Sequence, residues 1–264
     1  MNPLASISDQ ALRGVKGVFT DIDDTLTTEG SLTAAAYGAL ERLHESGLMV
    51  IPITGRPAGW CDHIARMWPV DGVVGENGAF YFRYHRESRK MERFFVDSAE
   101  DRADRRRRLG QLGERILQAV PGAAVAADQA YRETDLAIDF CEDVAELPER
   151  EVQRIVKLFE QAGATAKVSS IHVNGWFGTY DKLTMTRIMM AQSFGLDLDR
   201  QKESFVFAGD SPNDAPMFAF FPLSVGMANL VDFTGRLEAE PSFITERPAG
   251  QGFVELADRL IGDS

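Results

Sequence analysis

Three short apolar runs in this chain each end on acidic or hydroxyl-bearing residues, and that pattern limits the fold more than any other feature. Residues 15–20 run into Asp21-Ile22-Asp23-Asp24, residues 48–53 into Thr54-Gly55-Arg56, and residues 204–208 into Gly209-Asp210-Ser211-Pro212-Asn213-Asp214. The run at 48–53 shows no polar–apolar alternation, as expected for a strand buried on both faces of a parallel sheet. Helical stretches separate the runs. One opens near Thr33 and closes at Gly47, one has Pro57 in its first turn and ends before Pro69, and one runs from near Asp181 to Gly195. Further strands are expected at Val73 and Val74, at 79–82, at 223–225 and at 242–245. Alternation of this kind predicts an α/β fold with a doubly wound parallel sheet. Such sheets bind ligands beyond the carboxyl ends of their strands. Three polar segments far apart in sequence would therefore meet in one crevice.

The middle of the chain has a different style. Residues 91–96, 135–140 and 165–173 read as strands, and residues 102–120 and 148–162 as helices. The expected division is a core of residues 1–82 and 180–264 with an inserted α+β domain of residues 83–179. At 264 residues, 44% of them hydrophobic, the chain has enough apolar material for a sizeable core.

Composition narrows the partners. The formal net charge is −12, which repels nucleic-acid backbones and anionic membranes. The basic run at 105–108 reads as a solvated helix face. No apolar run reaches the ~18 residues of a transmembrane helix, and residues 1–10 lack the basic and apolar regions of a leader peptide. The expectation is a cytoplasmic protein, monomeric by default, with no nucleic-acid or membrane partner. Cys61 and Cys141 stand far apart and outside any CxxC pair, so they read as reduced thiols.

The chemistry lies in the strand-end motifs. Acidic residues crowded at the end of an apolar strand raise one another's pKa unless a cation neutralises them. A hard divalent ion that prefers oxygen ligands, such as Mg²⁺, is the simplest remedy. Asp210 and its neighbours supply more oxygen ligands. Thr54 and the helix start after it can bind an anion. Lys182, at the start of a helix, adds a cation for phosphate charge. Each residue alone reads more plainly as a turn, cap or surface residue; the ordered set carries the weight.

Asp21-Ile22-Asp23-Asp24-Thr25, Thr54, Lys182 and Gly209-Asp210-Ser211-Pro212-Asn213-Asp214 resemble the four motifs of the haloacid dehalogenase superfamily, in the same order. The long insert and Glu76-Asn77-Gly78-Ala79 are similar to its Cof-like class IIB branch with a type II cap. Asp24 stands where many members have Gly. The resemblance implies a Rossmann-like core, a Mg²⁺-dependent phosphatase and a small phosphorylated metabolite, with a sugar phosphate favoured, as substrate. It implies Asp21 as nucleophile forming a phosphoaspartate, and Asp23 as acid and then base. Thr54 and Lys182 would hold the phosphoryl oxygens. Mg²⁺ would be held by Asp21, the Asp23 carbonyl and Asp210, with Asn213 and Asp214 in support. Arg56, Asn77, Arg132, His172 and Asn174 are candidate substrate contacts. A phosphomutase of the same fold and a non-catalytic phosphosugar sensor remain open alternatives.

Overall fold

The computed structural model describes residues 1–169 and 171–262. Six parallel strands form the central sheet, in the order Asn2–Pro3, Phe243–Ile244, Leu223–Gly226, Phe205–Gly209, Gly17–Thr20 and Met49–Pro52. Successive side chains on a strand point to opposite faces. Val18, Val50, Val206 and Val225 therefore pack on one side, with Leu40 and Leu43 of helix Ala34–Glu45, Ile64 of Ala58–Met67, and Phe253 and Leu256 of Ala249–Ile261. Phe19, Ile51, Phe205 and Phe207 pack on the other, with Met185, Met189 and Met190 of helix Lys182–Phe194 and with Met217 and Phe218 of Ala215–Phe220. Helices on both faces make the sheet doubly wound, as the pattern of runs predicts.

A second, antiparallel sheet orders Thr165–Val168, His172–Trp176, Asp135–Asp139 and Ala124–Val125. Its Leu136, Ile138 and Val173 pack against helices Ala99–Ala119 and Glu149–Gln161 in a separate apolar core. The alternate residues, Asp135, Asp139, His172 and Asn174, fall on the opposite face. The period of two thus concentrates polar groups on the face that lines the crevice.

Three local expectations differ from the structure. The run at 165–173 is two strands rather than one. Ser169 closes a reversal without Gly or Pro: its N–H donates to the His172 carbonyl at 2.9 Å, and its hydroxyl accepts from His172 N–H at 3.0 Å. The helix expected from residue 102 begins at Ala99, because the Ser98 hydroxyl accepts the Asp101 N–H at 3.1 Å and caps it. Strand Phe80–His85 pairs with Val73–Gly75 on one side and with Lys90–Phe95 on the other, and the three pack on the core, where Tyr81 bonds Gln192 and Ser193 bonds Glu92. On those contacts we read residues 83–96 with the core and place the inserted domain after them. Among the described residues no helix is long and apolar enough to cross a membrane.

Candidate active site

Asp21 follows the Gly17–Thr20 strand and Asp210 follows Phe205–Gly209. These strands are neighbours in register, so the two carboxylates meet at one sheet end. Asp214 joins them. Ligand oxygens of Asp21, Asp210 and Asp214 lie within 4.8 Å of one another, all buried. Lys182 Nζ reaches Asp21 Oδ1 at 3.0 Å and Asp214 Oδ1 at 2.7 Å. Its helix is brought there by the Glu76-Asn77-Gly78 turn. A Cβ on Gly78, whose φ is +104°, would stand 2.0 Å from the Asp181 carbonyl oxygen, so only glycine permits the approach.

Burial raises the Asp21 carboxyl to about 7; Lys182 opposes the rise, and Asp214 and Asp23 add to it. Burial, then Asp21 and Asp214, pushes Asp210 well above the ordinary range. Burial alone would lower the Lys182 ammonium, but Asp21 and Asp214 outweigh it and the net shift is upward. Three buried carboxylates face one buried ammonium. That surplus of oxygen donors and negative charge fits a hard divalent cation.

The metal candidates divide by what their atoms already hold. Asp210 accepts from the Thr25 hydroxyl at 3.2 Å and from Asn229 Nδ2 at 3.1 Å. Asn229 also donates to the Asp24 carbonyl at 3.0 Å, tying the two acidic loops together. Both Asp214 oxygens are engaged, one by Lys182 and the other by the N–H groups of Asp210 and Ser211 at 3.2 and 3.4 Å. Asp214 therefore shapes the loop that carries Asp210. Asn213 Oδ1 accepts from the Ser211 hydroxyl at 2.7 Å. Thr54 is fully buried, and its hydroxyl accepts the Arg56 N–H at 3.0 Å. Asn77 sits in the left-handed region at φ 54° and donates its N–H to the Thr54 carbonyl at 3.1 Å.

Asp23 lies close to Asp21 but faces Arg56, which donates Nε to both its oxygens at 3.0 Å. The same guanidinium reaches Glu142 of the inserted domain at 3.1 Å. Glu142 in turn lies 2.8 Å from His172 Nε2. His172, then Arg56, hold the Glu142 carboxyl down at about 2, against the effect of partial burial. A carboxyl depressed in the folded state stabilises above its unfolded value and loses that contribution as pH falls toward its folded one. Glu142→Gln is accordingly expected to lower the melting temperature at pH 6, with the gap to the parent narrowing below about pH 4.5 and closing only near pH 2. An equal gap at the two ends of that range would remove Glu142 from the ionic link.

The candidate substrate contacts of the inserted domain spend their polar groups inside the protein. Arg132 pairs with Asp128 at 3.0 and 3.1 Å and with Asp135 at 3.0 Å, and it donates to the Gly55 carbonyl of the core at 2.9 Å. Asn174 Nδ2 donates to Asp135 at 3.1 Å. Glu76, buried at the junction, accepts from Ala58 N–H at 2.9 Å on the core side and from Glu133 and Thr134 N–H at 2.8 and 2.6 Å on the other, as well as from the Thr134 hydroxyl. Arg132, His172 and Asn174 do border the cavity beside Asp21, but its volume is about 20 Å³, room for about one water.

Sequence reasoning missed Asn229, Glu142, Asp128 and the clamping role of Glu76. Asn229 carried a usable signal, because it lies just past the carboxyl end of the parallel strand Leu223–Gly226. The others lie in the inserted domain or its junction, where no strand-end rule applies.

A model of the haloacid dehalogenase-like hydrolases matches residues 18–99, the segment that carries Asp21, Asp23 and Thr54. Among solved structures, the chain is similar to protein 0175 of Thermoplasma acidophilum, with a TM-score of 0.70 and 18% identity over 93% of this chain and 98% of that one. It is also similar to a putative HAD/COF-like hydrolase from Plasmodium vivax, with a TM-score of 0.68 and 16% identity over 96% and 98% of the two chains. A third is the HAD subclass IIB sugar phosphatase BT4131, with a TM-score of 0.61 and 14% identity over 93% and 98%. No curated protein matches the sequence.

Proposed function

We propose that this chain is a Mg²⁺-dependent phosphatase of a small phosphorylated metabolite, acting through a phosphoaspartate on Asp21. The observation that carries the reading is the buried set of Asp21, Asp210 and Asp214 around Lys182 at the carboxyl ends of adjacent parallel strands. Asp21 would attack phosphorus in line and displace the leaving oxygen. Asp23 would protonate that oxygen and then take a proton from the water that opens the acyl phosphate. Lys182 and Thr54 would hold phosphoryl oxygens as negative charge develops on them. Asp21, the Asp23 carbonyl and Asp210 would hold Mg²⁺, which supplies charge neutralisation at the phosphoryl group. A sugar phosphate is the favoured substrate class, on the likeness to a subclass IIB sugar phosphatase.

The test is phosphate release from a panel of phosphorylated sugars, nucleotides and cofactors, in Mg²⁺ and in EDTA. Release is expected in Mg²⁺ and its loss in EDTA. Mg²⁺ is also expected to raise the melting temperature, since a ligand that binds only the folded chain stabilises it, and Asp210→Asn is expected to blunt that rise. Equal release in EDTA would rule out the metal.

A further inference from the structure

Resting on that reading, we propose that the leaving group of the substrate lies in an aromatic groove on the core side, built by Trp60, Trp68, His63 and Tyr131. The groove selects phosphomonoesters whose alcohol carries a ring with a flat apolar face. The cavity beside Asp21, at about 20 Å³, has no space for such a group. The adjoining groove has a volume of about 570 Å³, within the usual range for small-molecule sites. The two spaces share two lining residues, Asp23 and Arg56. A general acid must touch the leaving oxygen, so the leaving group has to extend to a side of Asp23 that offers room. Only the groove offers it among these two spaces.

The lining suits a ring. Trp60 is 43% exposed and Tyr131 59% exposed, unusual for large aromatic side chains. The Arg56 guanidinium lies 4.5 Å from the centre of the Trp60 ring and fixes one of its faces. Tyr131 comes from the inserted domain and reaches the core at Gly59, where a Cβ would stand 3.0 Å from the Tyr131 Cβ. The groove therefore spans both domains and is completed by the inserted one. Trp60 and Tyr131 offer flat surface at low rotamer cost, which suits stacking better than recognition of an extended polyol.

The test compares kcat/KM in Mg²⁺ for glucose 6-phosphate, phenyl phosphate and the acyclic glycerol 3-phosphate, in the parent and in Trp60→Ala and Tyr131→Ala. At least one ring ester is expected to exceed the acyclic one. Each substitution is expected to cut the ring-to-acyclic ratio about tenfold, mainly through KM. A leading glucose 6-phosphate identifies the ring as a sugar face, and a leading phenyl phosphate as an aromatic one. An unchanged ratio in both variants overturns the proposal. Calorimetric titration of the Mg²⁺-loaded Asp21→Asn protein with the same esters separates the two failures. Ring-ester binding that Trp60→Ala weakens, in a protein whose parent releases no phosphate, overturns the phosphatase reading and leaves the groove. Binding that ignores Trp60→Ala, or no ring-ester binding at all, overturns the groove.

Discussion

Asp21→Asn is expected to cut phosphate release by about 10³-fold or more, equivalent to ~4 kcal/mol or more of barrier, while leaving the fold intact. The amide keeps the size of the carboxyl but is a poor nucleophile toward phosphorus. It also removes one of three buried acidic groups; burial first, and then Asp214 and Asp23, already push Asp21 up to about 7. The melting temperature in EDTA should therefore hold or rise, not fall. Loss of turnover with retained stability separates a chemical role from a structural one. Release at the parent rate in Asp21→Asn would mean that another group attacks phosphorus.

The second large effect is on stability. Arg132→Ala is expected to destabilise the protein by about 3–5 kcal/mol, the usual result of removing one partner from a buried ionic network. The Arg132 side chain is 1% exposed, and its loss would leave Asp128 and Asp135, exposed by 9% and 0%, with only Arg56 at 3.6 Å and the Asn174 amide at 3.1 Å, respectively, among the described residues. The contact to the Gly55 carbonyl would go as well, loosening the inserted domain over the crevice. Arg132→Lys should recover little, since an ammonium cannot serve two carboxylates and a carbonyl from one planar fork. Denaturant melts measure it directly. A change under 1 kcal/mol would show that the network breaks even with its desolvation, as buried ion pairs sometimes do.

These two residues mark the range of what could be read in advance. Asp21 was legible because its strand, its acidic neighbours and the matching Asp210 loop all obey a one-dimensional rule: in a parallel sheet, strand ends gather on one side. Asn229 obeys the same rule but stands in Gly226-Met227-Ala228-Asn229, where no second polar residue draws notice. Arg132, His172 and Asn174 were legible as polar residues of the inserted domain and as neighbours of the site, and all three border the cavity beside Asp21. The bonding of His172 and Asn174 was not legible, because Glu142 and Asp135 reach them only through tertiary contact, whereas Asp128 and Asp135 lie within four residues of Arg132. The helix start at Ala99 turned on one hydroxyl, and the split of 165–173 on a serine turn, neither of which leaves a hydrophobic pattern.

The order of residues by itself determined the doubly wound core, the inserted domain and the meeting of Asp21, Lys182 and Asp210. Apolar periodicity and strand-end position are properties of single segments. Only the tertiary structure decided which charges neutralise which. It put Arg56 between Asp23 and Glu142, closed the space beside Asp21 and opened the groove at Trp60 and Tyr131. Those outcomes depend on distances between segments tens to hundreds of residues apart, and in a low-dielectric interior a few ångströms decide whether a polar group binds a ligand or its own protein.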